Sequence, residues 1–375
     1  MAHQISRITH RYLVVLSILA ALFLGSVEGS ANTDLTREPE LFNRCWDFKV
    51  NPNLAVLPVI DGTAIFFVDN ENKLLALETE GPVRIWSSDL GGEVASNILL
   101  SESSIFIATN SQVTEGGPVA KTFLRSISRA TGVTEWRVEI QPSANIWIGA
   151  YGTSVVSVGG SGYAASLSRS EGKSLWDRNI GSPVTTSPVF GHKAITLGTE
   201  SNEIFELALA DGSVRSLWKS DNLPTSLALD SAGRLVFGDE RGNVTAISTN
   251  GERSWTFRNG ARMSSILVEG SDYIASSNDN FVYRLTRGGN VKWKRRLPAR
   301  LAQAPLLLAD VAVMSVSGSG RVFVVDINKG KILDRIETGE EISLAIGASA
   351  GNSGNLIVAG TSGVAYFSRE KCPSK

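Results

Sequence analysis

The sequence predicts an all-β chain, an eight-bladed β-propeller of four-stranded antiparallel blades with N- and C-terminal strands sharing one blade. Three observations carry that prediction. Tryptophans recur at a near-constant interval, a glycine stands four residues before most of them, and short apolar strands fill the space between.

The interval comes first. Trp46, Trp86, Trp136, Trp176, Trp218, Trp255 and Trp293 are separated by 40, 50, 40, 42, 37 and 38 residues. One further step reaches Asp334, where glycine (Gly330) persists four residues ahead but tryptophan does not. The eighth tryptophan, Trp147, lies off the grid. Repetition at about 40 residues is the period of a propeller blade.

The turns come second. Residues 130–136 (ATGVTEW), 170–176 (SEGKSLW), 249–255 (TNGERSW) and 287–293 (RGGNVKW) place glycine at the same point, while Gly81 and Gly212 give looser versions. A glycine accepts the positive φ of a tight hairpin, so each window reads as strand, turn, strand. Apolar strands at 73–77, 204–209, 243–247, 281–285 and 321–325 precede these turns. Two further strands fit the remainder of each repeat, as at 185–190 with 193–198 and at 263–268 with 273–277. No window after the N-terminal region sustains a 3.6-residue apolar period, which argues against helical solenoids.

Closure of the ring follows from counting strands. After the seventh repeat the chain offers strands at 342–346, 355–359 and 363–367, one short of a blade. The missing tryptophan-bearing strand is expected at 45–50, which would cover otherwise exposed sheet edges. The only two cysteines, Cys45 and Cys372, flank that join and are expected to form a disulfide in place of the absent peptide link.

The N-terminus has the three-part layout of a secretory signal peptide. Arg7 and Arg11 precede a charge-free apolar run from Tyr12 to Leu24, followed by small residues at 29–31. The expected organisation is a signal peptide at 1–31, a short segment at 32–44, the propeller at 45–372 and a tail at 373–375. The alternative is an uncleaved anchor, for which about 13 apolar residues is short of the roughly 18 a span requires. Export to a periplasm or to the exterior is therefore expected, where a disulfide persists. Removing Arg7, Arg11 and Glu28 leaves 34 basic against 36 acidic residues. That balance gives no field for nucleic acid, and no later stretch is long and apolar enough to span a membrane.

The recurring Gly-x-x-x-Trp core resembles the pyrroloquinoline-quinone-type (PQQ-like) propeller repeat, residues 130–136 and 170–176 being its best copies. The family's alanine ten residues before the tryptophan is matched by Ala76 and Ala208 but not in every repeat. The resemblance covers nearly all the chain after residue 31. It implies that the grid tryptophans are structural and dock between neighbouring blades. It does not fix function, because the repeat serves both quinoprotein dehydrogenases and non-catalytic proteins. Among the latter the chain is similar to BamB-like eight-bladed exported propellers, departing from them in lacking a lipid-acceptor cysteine beside the signal segment.

Catalytic groups are sparse. The quinoprotein pattern implies a vicinal cysteine pair, a tryptophan floor, calcium ligands and an aspartate base, yet no Cys-Cys pair exists. Trp147 is open to two readings, a floor or a packed strand residue. His192 is the one histidine after residue 31 and falls in an expected turn; clusters for zinc, iron or copper are absent. Asp69–Asn72 and Ser277–Asn280 lack the ligand spacing of a calcium loop and read as turns. The glycine-rich stretch 158–162 precedes a strand and not a helix, so it makes no phosphate cradle. No catalytic, cofactor-binding or metal residue is therefore assigned, and no cofactor is expected.

One basic cluster, Lys292, Lys294, Arg295 and Arg296, reads either as a solvated strand edge or as a docking patch for an acidic partner or lipid headgroup. Acidic residues at 337–341 follow one repeat later. The expected function is a non-enzymatic scaffold, a monomer whose exposed loops bind another protein or an extended peptide. A quinone-dependent sugar or alcohol dehydrogenase and a polysaccharide-binding propeller are the alternatives.

Overall fold

The computed structural model describes residues 41–111, 121–340, 344–348 and 354–372. The expected signal peptide, residues 32–40 of the following segment, residues 342–343 of one expected strand and the tail lie outside that set. Every regular element among the described residues is a β-strand.

The strands form eight antiparallel sheets, each arranged from an innermost to an outermost strand. Blade 1 runs Val59–Asp61, Ala64–Val68, Lys73–Glu78 and Arg84–Asp89. Its middle strands, AIFFV and KLLALE, are buried almost continuously, because neighbouring blades cover both sheet faces. Its outermost strand, RIWSSD, alternates with solvent. The outermost strands of blades 2 to 7 are Thr134–Ile140, Ser174–Asn179, Val214–Lys219, Arg253–Arg258, Val291–Arg296 and Ile332–Glu337. Blade 8 joins the two ends of the chain in the order Asn43–Phe48, Gly363–Ser368, Asn355–Gly360, Ala345–Ala348. The N-terminal strand pairs Trp46 with Tyr366 and Phe48 with Val364.

Two innermost strands differ from the regular pattern. In blade 4 the expected strand at 185–190 is reduced to Val189–Phe190, with a separate bridge from Val184 to Thr199. Pro188 has no N–H to contribute and breaks the ladder there. In blade 2 the inner strand is split into Glu93–Val94 and Leu99–Leu100, both paired with Ser104–Asn110.

A bulge recurs immediately before each grid position. The extra residue is Cys45, Ile85, Glu135, Leu175, Leu217, Ser254, Lys292 and Leu333 in the eight outermost strands. A bulge bends its strand and re-aims the next side chain. Here it precedes an indole that packs on the following blade. Trp86 lies against Gly132, Trp136 against Gly172, Trp176 against Gly212, Trp255 against Gly289 and Trp293 against Gly330. A Cβ added at these glycines would lie within 2.9 Å of the indole, and each has positive φ. In three of the four Gly-x-x-x-Trp copies the glycine (Gly132, Gly172, Gly289) thus receives one blade's tryptophan while the tryptophan of the same motif faces the next blade; Gly251 has nothing within 4 Å.

Six indoles also donate N–H to a carbonyl of that next blade: Trp46 to Thr79, Trp86 to Arg129, Trp136 to Arg169, Trp176 to Leu209, Trp255 to Arg287 and Trp293 to Ile327, at 2.7–3.0 Å. Trp218 is the exception, its Nε1 buried without a partner. In blade 7, where Asp334 replaces tryptophan, the carboxylate accepts from the backbone N–H of Leu41 at 2.8 Å. Phe42, 2% exposed, packs beside it among Leu308, Val324, Ile336 and Phe367.

Candidate interaction surface

Cys45 and Cys372 are bonded to each other, their Cα atoms 5.2 Å apart and their positions 327 residues apart in sequence. Cys45 occupies the bulge before Trp46, so the bond lies on the outer edge of blade 8. No vicinal pair is left to floor a channel mouth.

The basic cluster lies along the outermost strand of blade 6. Lys292 pairs with Asp272 at 2.7 Å, and the same carboxylate oxygen accepts from the Nε of Arg284 at 2.7 Å. Burial pushes the Asp272 carboxyl up, but Lys292 and Arg284 outweigh it and hold the group below its ordinary value. Arg295 donates from Nε to the carbonyl of Gly330 at 2.6 Å, as Arg178 does to Gly212. Both residues stand two positions after a grid tryptophan and tie neighbouring blades. Lys294 sits 5.8 Å from the Phe281 ring, and Arg296 is exposed. Among the described residues no ion pair engages Lys294, Arg295 or Arg296. Of the acidic stretch, Glu337 pairs with Arg321, and Glu340 accepts from the backbone N–H groups of Thr361 and Ser362.

The turns read from Asp and Asn have that role in blade 1 and blade 6. Asp69 accepts from the N–H groups of Glu71 and Lys73, while Asn72 and Asn280 adopt positive φ. His192 is exposed in the hairpin turn of blade 4.

Among the described residues, a concavity of about 480 Å³ between blades 2 and 3 carries Glu139 and Asp177, and one of about 380 Å³ carries Glu135 and Arg169; two others bear on the sequence reading. One, about 470 Å³, is bounded by the inner strands of blades 4 to 6, including Val189, Leu227, Leu229, Ile266 and Val268 with Ser187, Thr225 and Ser264. Its lining carries no ionisable side chain. The other, about 610 Å³, opens among loops of blades 2, 3 and 4 and holds Trp147 and Glu200. Trp147 is half-buried, packed on the cluster that contains Val184, Ile195 and Leu197. It therefore combines the two readings, a strand residue whose ring also lines a pocket. The pocket was not legible from sequence because its walls come from three repeats.

The pattern common to known proteins matches this geometry. The family model for the outer membrane protein assembly factor BamB matches residues 43–190, 120–222 and 206–371. BamB of Yersinia pestis is 21% identical over 291 residues, 72% of this chain, and the chain spans 61% of that protein. The crystal structure of BamB from Moraxella catarrhalis superposes with a TM-score of 0.65 at 15% identity, over 87% of this chain and 97% of that one. Quinohemoprotein alcohol dehydrogenase from Comamonas testosteroni superposes with a TM-score of 0.66 at 11% identity, covering 90% of this chain and 78% of that one. At such identities the superpositions speak for the fold alone.

Proposed function

We propose, from the premise that the chain belongs to the family of the outer membrane protein assembly factor BamB, that it is an exported, non-catalytic scaffold binding protein partners in outer-membrane protein assembly. One observation carries the non-catalytic part of this reading. The cavity between the inner strands has no ionisable lining, and the loop pocket has a single ionisable residue, Glu200. A quinone of the PQQ type is a multiply charged anion and its chemistry needs a metal and a base. Neither of these cavities offers a cation for it, and the two concavities that do carry charge hold Glu139 with Asp177 and Glu135 with Arg169, an acidic balance that does not suit a multiply charged anion. An anionic carboxylate without a hydrogen-bonded partner set would instead oppose its entry.

A propeller presents many loops on two broad faces, a geometry suited to protein contact over a large area. Export fits both the disulfide and the family. The alternative reading, a quinone-dependent dehydrogenase, is favoured by the shared fold with the alcohol dehydrogenase. Two measurements separate them. Tagged protein cross-linked in its native envelope and identified by mass spectrometry should recover components of the outer-membrane assembly apparatus. The purified protein mixed with the quinone, calcium and an alcohol or sugar should not reduce an acceptor dye. Robust dye reduction would overturn the scaffold reading.

A further inference from the structure

The loop pocket of blades 2, 3 and 4 has rigid walls and three unengaged groups. Its walls are held by their own hydrogen bonds. Ser143 Oγ donates to the carbonyl of Asn145 at 2.8 Å and accepts from the N–H of Ser161. Asn110 donates to the carbonyl of Ser143 at 3.1 Å and accepts from the Thr122 hydroxyl at 2.6 Å. Backbone bonds from Gly160 to Asn145 and from Glu200 to Pro183 hold the loops of blades 3 and 4, and one from Val184 to Gly160 joins them. A pocket so fixed loses little freedom when a ligand enters.

Against that satisfied frame, three side chains have no hydrogen-bond or ionic partner among the described residues: the Trp147 indole N–H, the Asn145 amide and the Glu200 carboxylate. Trp147 is the one indole whose N–H is neither donated, like those of six grid tryptophans, nor buried like that of Trp218. Trp147 is also the only aromatic and Glu200 the only ionisable residue of the lining. An indole face attracts a cation, and a carboxylate beside it selects one that can also donate hydrogen bonds. The planar guanidinium does both, stacking on the ring and pairing with the carboxylate. Asn145 can then accept from and donate to a peptide backbone.

We infer that this pocket binds an arginine side chain presented by an extended peptide segment of the protein partner. The inference rests on the scaffold reading and names the chemistry that the scaffold recognises. Glu200 lies in an exposed turn, so Glu200→Gln removes the charge without disturbing a packed residue.

The test titrates the full chain with acetyl-Gly-Arg-Gly-amide, with its neutral citrulline counterpart, and with methylguanidinium. Calorimetry gives affinities, and the indole N–H resonance absent from Trp147→Phe reports the site. The arginine peptide should bind and move that resonance. Binding should weaken about tenfold or more for citrulline and for Glu200→Gln, the equivalent of losing roughly 1.4 kcal/mol. Calorimetry on wild type and Glu200→Gln decides the matter even if Trp147→Phe does not fold. Equal binding of the citrulline peptide, unchanged binding by Glu200→Gln, or no binding would overturn the inference. Methylguanidinium binding as tightly as the peptide would overturn its peptide component. Envelope capture that persists when the peptide fails to bind strikes only this pocket; peptide binding without capture strikes only the scaffold reading.

Discussion

The indole N–H of Trp46 donates to the carbonyl oxygen of Thr79 at 2.9 Å, tying the N-terminal strand of blade 8 to blade 1. The same bond recurs from Trp176 to Leu209 at 3.0 Å but is missing at Trp218, whose buried N–H has no partner. Phenylalanine keeps most of the ring and removes the donor. Trp46→Phe and Trp176→Phe should therefore lose a hydrogen bond as well as some packing, at least about 0.5–1.5 kcal/mol. Trp218→Phe loses packing but relieves an unsatisfied group and should cost distinctly less. Urea unfolding of the three variants checks the ranking, and an equal cost at Trp218 would deny the difference between these seams. Alanine at Trp176 should cost about 3–5 kcal/mol, as large core truncations do.

The bond between Cys45 and Cys372 spans 327 residues of sequence. On the chain-entropy model a loop of that size contributes roughly 6 kcal/mol, less where the unfolded state keeps structure. Reduction, or Cys45→Ser, should lower the melting temperature. The oxidised chain should run more compactly in denaturant, and alkylation there without reductant should modify no thiol. Two titratable thiols would contradict the pairing.

Acid should weaken the charged cluster of blade 6, whose Arg284 also donates to the Ile327 carbonyl of blade 7 at 2.9 Å. Asp272 is held below its ordinary pKa by Lys292 and Arg284 against the opposing effect of burial. A depressed carboxyl stabilises the fold at pH values above its unfolded pKa, about 3.9, and loses that contribution as pH falls through the folded value. Wild type should therefore lose more stability than Asp272→Asn between about pH 5 and the acid limit. Melting temperatures across that window measure it, and parallel curves would remove Asp272 from the account.

The basic strand of blade 6 divides into two pairs. Lys292 and Arg295 hold Asp272 and Gly330, so charge reversal there should destabilise. Lys294 and Arg296 are exposed, and their reversal should change stability by less than about 0.5 kcal/mol. As a docking patch they should matter for capture, which should weaken on reversal and with rising salt. Capture of the Lys294→Glu, Arg296→Glu variant at wild-type strength would leave them as solvated edge residues.

Much of the fold was legible because a blade repeats one physical solution. Five of the seven grid indoles lie against a glycine of the next blade where a Cβ would not fit, so Gly172 and Trp176 report two interfaces from one motif. Departures from the repeat were not legible. The grid shows that tryptophan is lacking at Asp334, but not that Leu41 and Phe42 arrive from the other end of the chain to pack there. Trp218 sits on the grid, yet its N–H finds no acceptor and Gly251 of the next blade meets no indole. Pro188 broke a strand that the apolar pattern predicts whole. The loop pocket draws Asn110, Trp147 and Glu200 from three repeats, and a period of about 40 residues says nothing about which loop side chains converge.

The central claim, a scaffold in outer-membrane protein assembly, is met most directly by measuring folded outer-membrane β-barrels in source cells that lack this protein. The fraction of a heat-modifiable barrel protein recovered in its folded form should fall and recover when the chain is restored. Recovery should survive Lys294→Glu with Arg296→Glu only if that strand is not the dock. Unchanged barrel assembly in the deleted cells would contradict the account.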